Sequence, residues 1–182
     1  TADAAVLVEG DPAAMDSPTK ARLLAAAIRN QGGADLVLAG RQAADWEAGQ
    51  VGAMVAEELG LPCVPFVSRI TPDGDALQLR QELDNGFAVV RLPGRAVVTI
   101  TNDDTNVLRS AKVKDVMMAS RKPITRLTPA DLGVSVDLDD PAVETLSLAL
   151  PEARSRAEMI EGDTPAERAR NLARRLRELS VI

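Results

Sequence analysis

The chain has 182 residues and a formal charge of −6 at pH 7, with no histidine, no tyrosine and Cys63 as its one cysteine. That length suits one globular domain with an appendage, and the missing histidines remove the commonest general base and metal ligand, and with them much of hydrolytic chemistry. The acidic balance and an aromatic set of only Trp46, Phe66 and Phe87 argue against a nucleic-acid surface; a lone cysteine forms neither an internal disulfide nor a multi-cysteine metal site; and no apolar run approaches the ~20 residues of a membrane span.

In chain order, an apolar run at residues 4–9 reads as a strand, close behind a start at Thr1 that has no initiator methionine. The expectation is that earlier elements of the fold precede it. Gly10-Asp11-Pro12 marks a turn, and Ser17-Pro18 opens a helical pattern that runs to Asn30 and stops at Gln31-Gly32-Gly33. Residues 34–39 form a second continuous apolar strand of the kind buried on both faces in a parallel sheet. A polar loop over 40–49 follows. Val51, Met54, Val55 and Leu59 then recur at helical spacing, Gly60 ends that helix, and 63–67 makes a third strand, with Cys63 as a small apolar residue at its start. This alternation predicts an α/β fold with a doubly wound, mainly parallel sheet.

From Ser68 the rhythm changes to short segments divided by Pro72-Asp73-Gly74-Asp75, Asp84-Asn85-Gly86 and Pro93-Gly94. Turn chemistry of this type predicts an antiparallel meander within 68–101, its strands at about 69–71, 76–82, 87–92 and 96–100. Beyond a polar loop at 102–109, residues 114–120 read as a short helix and 122–150 as largely irregular, with a small helix starting at Thr128-Pro129. The last helix carries the best start signal, a capping box with proline at the first helical position in Thr164-Pro165-Ala166-Glu167. Ala169, Leu172, Ala173, Leu176 and Leu179 form its apolar face. The arginines on its other side are a solvated face or the rim around a partner, given the acidic total. The expected organisation is an α/β domain over 1–133 and an extended arm with a C-terminal helix over 134–182.

The loop between the second strand and second helix carries the chemistry. Ligands of open α/β sheets bind at the carboxyl ends of strands, and free N–H groups at a helix start, here Gly49, Gln50, Val51 and Gly52, favour a phosphate. Glycines at 49 and 52 allow close backbone approach. Asp45 and Glu47 either hold ribose hydroxyls or complement the helix N-terminus. Trp46 either stacks on a base or is an exposed or interface aromatic. On the residues alone the loop is a phosphate site or a structural connection.

Three runs of residues bear on that choice: Asp35-Leu36-Val37-Leu38-Ala39-Gly40-Arg41-Gln42-Ala43-Ala44-Asp45, then Gly49-Gln50-Val51-Gly52, then Ala56-Glu57-Glu58-Leu59-Gly60-Leu61-Pro62. Together they resemble the signature of electron transfer flavoprotein β subunits. A second match runs through Asn106, Arg109, Val116-Met117, Ala119, Lys122-Pro123-Ile124 and Leu127. The resemblance implies an adenine nucleotide α-hydrolase-like fold, continuing a portion that precedes Thr1. It implies a heterodimer whose α subunit holds the electron-carrying FAD, while this subunit holds AMP, or a second FAD if the complex is electron-bifurcating. By position, the nucleotide loop comprises Gln42, Asp45, Trp46, Glu47, Ala48, Gly49, Gln50, Val51 and Gly52. The segment 112–122, with Val113, Lys114, Val116, Met117 and Lys122, falls where the family docks on partner dehydrogenases of the acyl-CoA type or on a quinone oxidoreductase.

The sequence departs from the family at Trp46, Glu47 and Ala48, which leaves AMP versus FAD open. It departs again at Val113, Lys114, Met118 and Ser120, where a smaller anchor and altered charge point to a different docking partner. The resemblance thus implies an electron-carrier subunit with no catalytic residue and no metal, in the cytoplasm of a bacterium or an organelle matrix. Two rivals are a stand-alone adenine-nucleotide-binding regulator, which would purify colourless and monomeric, and a nucleotide-dependent ligase or hydrolase on the same topology, which would turn over ATP.

Overall fold

The computed structural model describes residues 2–103, 109–137, 141–150 and 157–182. Asn106 of the second match lies outside the described residues. The chain divides into two compact units, Thr1–Glu144 and Thr145–Ile182.

In the first unit, β1 (Ala5–Val8) leads into α1 (Ser17–Asn30), β2 (Leu36–Gly40) and α2 (Val51–Leu59). Helix α1 starts where Asp16 accepts a hydrogen bond from the Thr19 N–H at 2.9 Å, with Pro18 in the first turn. It buries Ala21, Leu23, Ala25 and Ala27. Helix α2 ends at Gly60, which is left-handed at φ 65°, and Leu61 N–H closes back onto the Ala56 carbonyl at 2.9 Å. Both boundaries agree with the sequence reading.

β3 (Cys63–Asp73), β4 (Ala76–Leu83), β5 (Gly86–Leu92) and β6 (Ala96–Ile100) complete a five-stranded mixed sheet in the order β2-β6-β3-β4-β5. Two expectations are corrected here. The strands expected at 63–67 and 69–71 are one strand, whose first half pairs parallel with β6 and whose second half pairs antiparallel with β4. Register shifts between Val64 and Val67 and between Val67 and Arg69 let it change partners, as bulges do. Second, the segment 96–100 is not the last meander strand but a central one, parallel to both β2 and β3. Ala96, Val97, Val98 and Thr99 are all buried, as a strand covered on both faces must be.

The two faces of this sheet hold separate cores. Val97 packs with Ala21 of α1 and with Val55 and Ala56 of α2, while Ala96 and Val98 join Val64, Val67, Leu79 and Leu92 on the other side. The two helices thus share one face, and the winding on both faces expected from the strand–helix alternation is not seen among the described residues.

Helix α3 (Val113–Ala119) matches its expectation closely, but β7 (Ile124–Leu127) was hidden in the stretch read as irregular. It pairs parallel with β1 in a two-stranded sheet, reinforced by a 3.2 Å ion pair between Arg126 and Glu9. The small helix expected at Thr128-Pro129 is only a turn. The Asp131 carboxylate takes both the Thr128 N–H and hydroxyl at 2.7 Å, and left-handed Gly133 ends the winding.

In the second unit, α4 (Pro165–Glu178) has the expected start. Thr164 Oγ accepts from Glu167 N–H at 3.2 Å, while the Glu167 carboxylate reaches back to Asp163 N–H rather than to Thr164. None of its described side chains is buried.

The Asp16 cap carries a pH signature. Hydrogen bonding from Thr19, side chain foremost, holds its carboxyl below the ordinary 3.8, with Val143 N–H also donating to it at 3.2 Å. An acid depressed on folding adds stability that is present above its ordinary value and lost as pH falls through the folded one. Thermal melts of Asp16→Asn, which keeps an acceptor without the charge, are expected to lose stability less steeply on acidification than the parent.

Candidate functional site

At the carboxyl end of β2 the chain leaves the sheet with Arg41 N–H still bonded to the Ile100 carbonyl at 3.0 Å, then loops to α2. Within that loop Asp45 accepts from Trp46 N–H at 2.8 Å, and Glu47 N–H bonds the Ala43 carbonyl at 3.1 Å. Two left-handed residues, Glu47 at φ 50° and Gly49 at φ 65°, turn the chain into the helix. The result is a cleft of about 710 Å³ between this loop, α2 and α1.

The structure brings together Gln42, Asp45, Trp46, Ala48, Gly49, Gln50, Val51 and Gly52 along the cleft. Glu47, which holds a left-handed φ of 50°, is not among its lining residues. Sequence reasoning missed the opposite wall: Pro12, Ala13, Ser17, Lys20 and Leu24, from the turn after β1 and the first turns of α1. Gly10-Asp11-Pro12 was the available signal, since it too follows the carboxyl end of a strand in a parallel pair. Its strand, however, belongs to the small sheet with β7, and only tertiary folding sets it beside β2's loop.

Helix α2 begins at Val51, two residues after Gly49. Gln50 is the N-cap and supplies no side-chain hydrogen bond, so the donors with no partner in the helix are those of Val51, Gly52 and Ala53. An uncapped start with its positive dipole end favours an anion. Gly52 also has a second reason to be glycine. A Cβ there would meet Thr99 Cγ2 at 2.6 Å and Ala39 Cβ at 3.2 Å, so the missing side chain is what lets α2 lie against β2 and β6.

Two cations line the cleft. Arg41 lies over the Phe66 ring, 5.6 Å from its centroid, and Phe66 itself holds a left-handed φ of 55° at the β3 bulge. Its N–H is anchored by the Thr99 hydroxyl at 3.1 Å. Lys20 makes no side-chain hydrogen bond or ion pair among the described residues. Asp45 is the one acid among the described lining residues. Leu24, Ile28, Val37 and Val55 supply an apolar wall, and Trp46, half-exposed, a flat aromatic one. Uncapped donors, two cations and an apolar wall suit a ligand with an anionic end and an apolar or aromatic one. Among the described residues no cluster of His, Cys, Asp and Glu could hold a metal ion, and burial pushes the Cys63 thiol up, away from the reactive thiolate.

The other set of expected site residues lies on α3. Val113, Lys114, Val116 and Met117 share this seven-residue helix, none of whose side chains is buried. Val113 is 77% exposed, and Val116, Met117 and Met118 are each more than half exposed. Lys122 just beyond is committed locally, its ammonium donating to the Ala2 carbonyl.

Residues 1–132 match the family model described as the electron transfer flavoprotein domain. The chain is 32% identical over 162 residues to the caffeyl-CoA reductase-Etf complex subunit CarD of Acetobacterium woodii, a match covering 87% of this chain and 62% of that one. It is 34% identical over 153 residues to the human electron transfer flavoprotein subunit beta, covering 79% and 60% respectively. A similar protein in Clostridium acetobutylicum is 31% identical over 138 residues, covering 74% and 52%. The chain spans about three fifths of the length of the first two of these relatives.

Proposed function

The chain belongs to the electron transfer flavoprotein family, as a member of the β-subunit type, and from that premise we propose that it is the nucleotide-holding half of an electron-carrying heterodimer. In this reading an α subunit contributes FAD, the group that carries the electrons, and the chain described here tightens the complex, holds an adenine nucleotide and presents α3 to a dehydrogenase or quinone oxidoreductase. The observation that carries the reading is the cleft: Gln42 and Asp45 of the first matching run and Gly49 to Gly52 of the second line it together, beside an uncapped helix start.

The roles divide by chemistry. Val51, Gly52 and Ala53 N–H groups meet a phosphate, Trp46 and the Leu24–Ile28 wall flank the base, and Gln42 and Asp45 lie within the same cleft to meet ribose or phosphate oxygens. No residue is assigned to proton transfer or nucleophilic attack, since positioning and electrostatics are what such a subunit supplies. Residues 134–182 serve as the arm that embraces the α subunit, and the nucleotide-binding fold is of the adenine nucleotide α-hydrolase-like type. Among the described residues no helix is long and apolar enough to cross a membrane; cytoplasm or organelle matrix is the proposed site of action.

The test is to purify the chain with its α subunit and count FAD and AMP released per heterodimer. One FAD and one AMP, or two FAD in a bifurcating complex, is the expected result. A heterodimer with no adenine nucleotide beyond the α-bound FAD would overturn the assignment of the cleft.

A further inference from the structure

We propose that Met117 and Met118 of α3 form a reversible oxidation site, at which hydrogen peroxide converts the thioethers to sulfoxides and weakens the docking face; this rests on the reading of α3 as that face. Sulfur is the group that peroxide attacks, and this chain carries it in Cys63 and five methionines. Burial pushes the Cys63 thiol up, so little of the reactive thiolate is present. Met54 packs against the core cluster of α1, α2 and β6, and Met15 is partly buried. The exposed methionines are Met117, Met118 and Met159. Two of these three are consecutive residues of α3, 54% and 56% exposed, on the helix that also displays Val113 and Val116 to solvent. In the reaction the sulfur lone pair takes one oxygen from hydrogen peroxide: the O–O bond breaks, an S–O bond forms, the sulfur is oxidised by two electrons, and the peroxide leaves as water with both hydrogens on its remaining oxygen. A sulfoxide here costs the free protein little, because none of α3's side chains is buried and water meets the new oxygen. In a docked complex that oxygen is stripped of water within an apolar contact, where a polar group without a partner lowers affinity. Methionine sulfoxide reductases, one for each epimer, return the thioether, so the loss is reversible. Met159, in the second compact unit and 84% exposed, reports that peroxide has reached the protein.

The test treats the heterodimer with dilute hydrogen peroxide, removes the peroxide with catalase, and follows flavin reduction by an untreated acyl-CoA dehydrogenase that reduces the parent, at limiting heterodimer concentration. The proteins are the parent, the double variant Met117→Leu with Met118→Leu, and Met117→Asp. Each rate after treatment is compared with the same protein's rate before it, and mass spectrometry of the tryptic peptide 115–121 counts the oxygens added. The expected result for the parent is one oxygen on each of its two methionines, a rate lowered by about tenfold at an unchanged melting temperature, and recovery after incubation with reductases for both sulfoxide epimers. The double leucine variant keeps its own starting rate through the same treatment. The proposal is overturned by a parent that takes up both oxygens and keeps its rate, by a peptide that gains none while Met159 is oxidised, or by a loss that the double leucine variant shares. If untreated Met117→Asp is slow in any of these cases, the docking role of α3 stands without the oxidation site; if it is as fast as the parent, that role falls as well.

Discussion

Gly52→Val is expected to leave little folded protein, and Gly52→Ala to lower the melting temperature by several degrees, although alanine is the better helix former. Propensity alone favours alanine by about 0.8–1 kcal/mol. Against this, a Cβ at position 52 lands 2.6 Å from Thr99 Cγ2 and 3.2 Å from Ala39 Cβ, at the plane where α2 rests on the sheet. Neither neighbour can yield easily, because both belong to strands in the parallel ladder and Thr99 is buried. Overpacking of this sort costs about 1–3 kcal/mol for one added carbon and more for valine's branched side chain. The clash names its own remedy. Thr99→Ser removes Cγ2 but keeps the hydroxyl that accepts from Phe66 N–H, so Gly52→Ala with Thr99→Ser should recover much of the loss and show strong non-additivity. Thermal melts of the four proteins in that cycle decide it. If Gly52→Ala is as stable as the parent, the packing role assigned to this glycine is wrong.

The same residue shows how far the sequence could be read. Gly49 and Gly52 were picked out for backbone approach to a ligand. Gly49 is left-handed and turns the chain into α2, whereas Gly52 has a packing reason in two side chains that lie 13 and 47 positions away in sequence. Local signals did well: the Gly60 stop, the Pro18 and Pro165 starts and the capping box at Thr164 each act within one helical turn, and each boundary was legible. What failed was pairing. Residues 96–100 follow a Pro-Gly turn, as a meander strand does, yet a short β-branched run that is apolar but for Thr99 is also the mark of a strand buried on both faces. β7 was missed because four residues, Ile124–Leu127, half polar, carry no strong pattern of their own and become a strand only beside β1. The cleft was half legible for the same reason. Its loop follows one strand in sequence, whereas Lys20 reaches it only through the packing of α1 on α2.

If α3 docks a dehydrogenase as proposed, Met117→Asp is expected to cut electron transfer between the heterodimer and that dehydrogenase by about 30-fold or more while leaving the melting temperature unchanged. The two halves of that prediction come from one fact: α3 displays Val113, Val116, Met117 and Met118 to solvent, and none of its side chains is buried. A charge placed on an exposed side chain disturbs no internal packing, so stability should move by no more than about 0.5 kcal/mol. In a docked complex the same charge is desolvated at the centre of an apolar contact, where a single hot-spot residue is worth about 2 kcal/mol or more, hence about 30-fold in affinity. Methionine is suited to such a face because its flexible thioether adapts to the partner's relief. Val113, the most exposed of the four, offers a short side chain where an anchor is expected, so Val113→Leu should alter which dehydrogenase is preferred rather than abolish docking. Reduction of the heterodimer's flavin by the dehydrogenase, followed as a function of heterodimer concentration, separates the outcomes. A Met117→Asp protein that melts lower would show that the apolar face of α3 packs within the molecule, and one that couples as well as the parent would remove α3 from the docking surface.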